Sequence, residues 1–179
     1  MFKPVSYNFG DDILYIREVT SSDADDLIRF LEAVVCETDF LLTGPEDKPI
    51  TLEEEIKFIN SYYSNTNSLL LCGLWNGEIS AVADIKAFSF SRRAHVAEMG
   101  ISVLKKNWRK RIGFSMMQEV INWAQANTRL SKLSLRVHEQ NLGAIALYKK
   151  LGFKIEGTLE NDLHINNQYF STVLMGRTL

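Results

Sequence analysis

The chain has 179 residues, enough for one domain with a core of its own and too few for two comfortable ones. It is 46% hydrophobic and 23% charged, an ordinary globular composition, and 20 basic against 22 acidic residues leave a formal net charge of -2. That balance argues against a general nucleic-acid binder; no apolar run approaches the ~18 residues a membrane span needs, and "MFKPVSYNFGDD" lacks the apolar centre of a signal peptide.

Residues 1–11 read as an N-terminal extension, and residues 12–19, "DILYIREV", as a first strand. In "TSSDADDLIRFLEAVVCET" hydroxyl and acidic residues precede Leu27, Phe30, Leu31 and Val34 at helical spacing, which predicts a helix. Residues 37–50 hold Gly44, Pro45 and Pro49 and predict a loop. Thr51 with Glu54 three residues on has the spacing of a capping box and opens a second helix. Two strands follow, "SLLLCGLW" and "EISAVADIKAFSF", joined at Asn76-Gly77, a hairpin dipeptide because both residues accept positive φ.

"RRAHVAEMGISV" reads as the next strand, with His95, Ala97, Met99, Ile101 and Val103 on one face and Glu98, Gly100 and Ser102 on the other. Gly100 in mid-strand suggests a bulge. A basic turn leads into a helix whose apolar face is Met116, Met117, Val120, Ile121 and Ala124. "KLSLRV" alternates as a strand, and "NLGAIALYKKLG" is a short helix with Gly152 as its stop. Two strands around Asn166-Asn167 close the chain. The order β-α-α-β-β-β-α-β-α-β-β predicts one α/β (α+β) domain over 12–179, a mixed, mostly antiparallel sheet flanked by helices. Cys36 and Cys72 have neither CxxC spacing nor flanking histidines, so they read as buried free thiols of a reducing cytoplasm, and no metal site is expected.

The segment "VLKKNWRKRIGFSMMQEVINWA" passes from strand through five basic residues in seven into a helix. The first N–H groups of that helix have no internal partners and sit at the positive end of its dipole. An anion there accepts several of them at once. Gly113 lets it approach, and Arg109, Lys110 and Arg111 add charge. A solvated basic loop fits the same run equally well, and neither GxxxxGK[ST] nor GxGxxG is present.

"VLKKNWRKRIG" resembles the cofactor turn of the GNAT superfamily of acetyl-CoA-dependent N-acetyltransferases, with Gly113 as the final glycine and Arg111 in place of the first. "VHEQNLGAIALYKKLGFKIEG" resembles that family's second motif, with Asn141, Ala144, Leu147, Tyr148, Gly152 and Phe153 at matching spacing. The tail "GTLENDLHINNQYFSTVLMGR" is similar to acetyltransferases of ribosomal proteins and polyamines, which often carry Asp where this chain has Ser171. The resemblance implies the GNAT fold and transfer of acetyl from acetyl-CoA to a primary amine of a small molecule, peptide or protein. It implies CoA contacts from Ile101, Ser102 and Val103, from Arg109, Lys110, Arg111, Ile112, Gly113, Phe114 and Ser115, and from Asn141, Ala144 and Tyr148. The rival reading is a non-catalytic acyl-CoA-binding module of the same fold. Partners are acetyl-CoA and an amine, with no nucleic acid or membrane and room for a homodimer.

Direct transfer from thioester to amine needs a base, a carbonyl polariser and an acid for the leaving thiolate. Tyr148 is the candidate acid, against a packing role between helix and sheet. Glu98 is the candidate base, against an exposed or ion-paired glutamate. His95 and Asp84 are weaker base candidates: His95 shares the apolar face of its strand, and Asp84 suits pairing with Lys86. For the acceptor, Asp39, Phe40, Glu46 and Asp47 in the loop and "HINNQYFS" in the final hairpin are candidates to wall a site for a cationic amine.

Overall fold

Residues 2–179 are described by the computed structural model, and the first of their elements is one that pattern reading passed over. "VSYNF" alternates over only five residues, yet it forms strand β1 (Val5–Phe9), antiparallel to β2 (Asp12–Glu18) across a turn where Gly10 has φ +70. Two helices follow, α1 (Ala24–Glu37) and α2 (Leu52–Tyr63). The capping box of α2 forms: Thr51 Oγ1 accepts from the Glu54 N–H (3.3 Å), and Glu54 Oε2 accepts from the Thr51 N–H (2.9 Å).

Strands β3 (Ser68–Trp75) and β4 (Glu78–Ala87) make the expected hairpin, with Asn76 and Gly77 at φ 53 and 92. The remaining elements are β5 (Val96–Val103), α3 (Ile112–Ala126), β6 (Lys132–His138), α4 (Leu142–Lys150), β7 (Lys154–Ile165) and β8 (Gln168–Thr178). Asn166 and Asn167 turn the last hairpin at φ 49 and 64. The sheet order is β1-β2-β3-β4-β5-β6-β8-β7, antiparallel throughout except between β5 and β6.

Both faces of the sheet centre are covered, so β3 reads as a continuous apolar run while its residues still alternate between two cores. Leu70 and Cys72 meet Leu27, Ile59 and Tyr62 of α1 and α2. Leu69 and Leu71 share the other core with Met116, Met117, Val120 and Ile121 of α3. Cys72 is buried as expected; Cys36 is exposed near the end of α1.

The fold's opening lies between β5 and β6. The two strands pair in parallel only at Val96–Lys132, Ala97–Leu133 and Glu98–Ser134, and past Glu98 they part. The bulge expected at Gly100 is not there: the β4–β5 register runs unbroken from Ala87–Ala97 to Ala81–Val103. Gly100 serves another end. A Cβ at this position would stand 2.9 Å from Oδ1 of Asp84 on the neighbouring strand, so glycine leaves room for that carboxylate. β5 also begins later than its sequence suggests. Residues 91–93 form a 3-10 turn, and His95 is an exposed turn residue outside both the core and the gap.

Candidate active site

Alternation along β5 decides which peptide groups face the gap. The carbonyls of His95 and Ala97 accept from Lys132 N–H (3.2 Å) and Ser134 Oγ (3.4 Å) on the β6 side. The Val96 carbonyl and Leu104 N–H pair instead with Phe88 (3.2 Å) and Ser80 (3.0 Å) on the β4 side. The odd-numbered Met99, Ile101 and Val103 therefore turn their peptide groups to the gap, where β6 no longer meets them. The Val103 carbonyl is already taken by Trp108 Nε1 (2.7 Å), which leaves its N–H. Ser102 turns its peptide toward β4 and borders the cavity with its side chain.

The basic turn sits beyond the end of β5. Arg111 is the N-cap of α3, and Ser115 N–H donates to its carbonyl (3.0 Å) as the first helical bond. The N–H groups of Ile112, Gly113 and Phe114 thus lack intrahelical acceptors, and all three residues line the cavity. Arg109 and Arg111 line it too, both in the left-handed region at φ 62 and 64. Arg111 adopts there the backbone that a glycine would adopt without cost. Two of the expected contacts are placed elsewhere. Lys110 Nζ donates to Asn107 Oδ1 (2.9 Å) and lies 5.4 Å from the Trp75 ring centroid, and the Ser115 N–H is spent inside the helix while its residue is buried.

Helix α4 supplies the second wall. Asn141 caps it by accepting from Ala144 N–H (3.1 Å), and both residues border the cavity. Its end is a Schellman motif: Phe153 N–H donates to the Tyr148 carbonyl (3.0 Å), Gly152 N–H donates to the Lys149 carbonyl (3.0 Å), and Gly152 has φ +87. That closure fixes Tyr148 with its ring in the cavity wall, 7% exposed. Burial pushes the phenol up to about 12, so it keeps its proton across the neutral range.

These pieces surround one cavity of about 1050 Å³, which continues from the gap to the space beneath α1 and α2. Glu98 belongs to the last paired rung before the strands part, half-exposed, with Oε1 3.4 Å from Arg136 Nε. It stands at the apex of the gap, not in the cavity wall. The carboxylates in the wall are Glu54, Glu55 and Asp84. Tyr62 Oη donates to Asp84 Oδ2 (2.8 Å), and burial raises the Asp84 carboxyl. Lys86 makes no ion pair with it, and its Nζ lies 5.1 Å from the Tyr62 ring centroid. Of the loop residues expected at the acceptor site, Phe40 is in the wall, together with Leu41, Leu42 and Ile50. Asp39, Glu46, Asp47 and the final hairpin are not; Phe170 packs on His138, which also meets Phe40. Glu55 and Tyr62 were missed in the sequence. Their only signal is position on α2, one turn and three turns from its start, facing the sheet.

The acetyltransferase (GNAT) domain family matches residues 16–174. A GNAT-family acetyltransferase from Streptococcus pneumoniae superposes with a TM-score of 0.89 at 35% identity, covering 93% of this chain and 99% of that one. A Salmonella typhimurium protein solved with acetyl-CoA shares the fold at a TM-score of 0.82 and 16% identity, over 93% of this chain and 94% of that one. The L-amino acid N-acetyltransferase AaaT of Escherichia coli is 33% identical over 103 residues, 57% of this chain and 63% of the relative, so the match spans less than two thirds of that enzyme.

Proposed function

Because the chain belongs to the GNAT acetyltransferase family, we propose that it moves the acetyl group of acetyl-CoA onto a primary amine by direct attack. The observation that carries this reading is the one-sided edge of β5. Met99, Ile101 and Val103 present peptide groups to a gap that leads, in one direction, to the free N–H groups of α3. An extended pantetheine arm fits such an edge as a strand would, and its pyrophosphate falls at Ile112, Gly113 and Phe114, beside Arg109 and Arg111.

In that pose the residues divide the work. Glu98 stands at the apex of the gap and outside the cavity wall, so as the base it takes the proton that the amine loses through a bridging water. The nitrogen–carbon bond forms as the carbon–sulfur bond breaks, and Tyr148 gives its proton to the departing thiolate. No cysteine nucleophile is needed: Cys72 is buried, and Cys36 lies outside the cavity wall. The two free thiols support a reducing cytoplasmic setting, and no described helix is long and apolar enough to cross a membrane.

Tyr148→Phe tests this reading. The ring keeps its packing but loses its proton, so turnover on an accepted amine should fall about 10²-fold or more with the acetyl-CoA Michaelis constant little changed. Wild-type turnover in the variant would make Tyr148 structural. No thiol release from acetyl-CoA across a broad amine panel would leave a CoA-binding module instead.

A further inference from the structure

The half of the cavity beneath α1 and α2 has a wall that the proposed chemistry does not use. Leu27, Phe30, Val34, Phe58, Leu70 and Val82 make it apolar. Into it faces Glu55, 2% exposed as a residue, with its carboxylate oxygens bordering the cavity and no hydrogen bond or ion pair from any described residue. Burying a carboxylate without a partner is expensive unless a ligand supplies one. Asp84 lies in the same half and has one side-chain donor, Tyr62 Oη at 2.8 Å, from the next turn but one of the same helix as Glu55. Gly100 keeps the space in front of Asp84 clear.

We propose that Asp84 and Glu55 form the seat for the acceptor's cationic head, and that the acceptor is an amine on an apolar body that carries no carboxylate. This rests on the acetyltransferase reading above and narrows its substrate. The cationic side chains of the wall are Arg109, Arg111 and Arg136; the first two stand at the α3 turn, and Arg136 is held on Glu98. An acceptor bearing a carboxylate would set it among Glu54, Glu55 and Asp84; the cations beside these acids, Lys48 on Glu54 and Lys86 near Asp84, lie outside the wall and leave a net negative charge that repels it. An alkyl- or arylalkylammonium meets both demands, because its charge answers the acids and its body fills the apolar wall. Burial raises both carboxyls, opposed at Asp84 by the Tyr62 hydrogen bond and by Lys86, so the pair gains from a ligand that brings positive charge.

The probes are phenethylamine and phenylalanine, which differ by one carboxylate, titrated by calorimetry into the protein loaded with CoA so that no acetyl can move. Phenethylamine should bind at least tenfold more tightly than phenylalanine. Asp84→Asn and Glu55→Gln should each weaken phenethylamine about tenfold or more while CoA affinity, the control for an intact fold, stays at the wild-type value. Equal or tighter binding of phenylalanine overturns the proposal, and so do undetectable phenethylamine binding or unchanged affinity in both variants. Should either variant fail to fold, the comparison of the two probes on the wild-type protein still decides. Thiol release from acetyl-CoA is scored separately. Phenethylamine that binds as expected while no amine is acetylated leaves the seat standing and removes the activity; acetylation of amino acids in preference to their decarboxylated counterparts does the reverse.

Discussion

Asp23 shows how firmly one carboxylate is tied into the fold. It accepts two hydrogen bonds from the Arg17 guanidinium (both 2.8 Å), one from Thr20 N–H (2.7 Å) and one from Thr20 Oγ1 (2.9 Å). The Arg17 hydrogen bonds, with the Thr20 contacts, hold its carboxyl down at about 2 against a burial penalty. Its folded value lies below its unfolded one, so its stabilisation is complete above about pH 4 and is lost as pH falls toward about 2. That lowering is worth about 2 kcal/mol at neutral pH, and with the side chain only 10% exposed, screening takes little of it. Asp23→Asn should cost about 2 kcal/mol in urea melts at pH 7, and the gap from wild type should close as pH drops through that window. Asp84 and Glu55 act in the opposite sense, since their raised carboxyls lose stability as pH climbs above their unfolded values. They are common to both proteins, so the difference between wild type and variant isolates Asp23. A constant gap from pH 7 to pH 2.5 would mean that the Asp23→Asn substitution disturbs packing and not charge.

At the scale of elements, the legible parts were those that local chemistry writes into three to six residues. The capping box at Thr51, the Asn76-Gly77 turn and the stop at Gly152 all depend on near neighbours, and all formed as read. β1 was missed because five alternating residues carry little signal until a partner strand exists. Glu55 was missed because a glutamate on an amphipathic helix reads as exposed, and only the sheet beneath α2 buries it. The bulge at Gly100 was a wrong explanation of a meaningful glycine: the reason lies across the ladder, in Asp84. Arg111 is a residue whose backbone the sequence did not reveal, and it makes the start of α3 testable. Its left-handed φ costs roughly 1–2 kcal/mol for an L side chain. Arg111→Gly removes that strain but adds unfolded-state freedom worth about 0.4–1 kcal/mol. Stability should therefore change by between about 0 and about 1.6 kcal/mol, toward gain, while loss of the guanidinium weakens CoA by up to about tenfold, roughly 1.4 kcal/mol. Arg111→Val should instead lose stability, because a β-branched side chain tolerates that φ poorly. Chemical denaturation and CoA calorimetry on both variants check the two halves. A clear loss of stability in Arg111→Gly would contradict a left-handed backbone at 111.

At the scale of the whole molecule, the central feature is that β5 and β6 pair for three rungs and then separate, with Glu98 on the last rung. That position allows two roles. As a base, Glu98 takes the amine's proton where the gap begins. As a clamp, it joins the strands through Arg136 on β6, 3.4 Å away, and keeps the gap at its width. Half-exposed ion pairs contribute little stability, roughly 0–1 kcal/mol, so a pure clamp should show in cofactor fit more than in melting. The two roles separate in a pH–rate profile. If Glu98 is the base, Glu98→Gln cuts turnover, flattens the acidic limb and leaves acetyl-CoA affinity intact, whereas Arg136→Gln keeps the limb. If it is a clamp, the two variants behave alike, and both weaken acetyl-CoA. The amine also titrates and can produce an acidic limb with no protein base, so acceptors of different basicity must be compared. We expect the limb to stay in place across such acceptors and to vanish in Glu98→Gln. A limb that tracks the acceptor and survives the substitution assigns the proton to the amine itself, and catalysis then rests on the β5 edge and Tyr148.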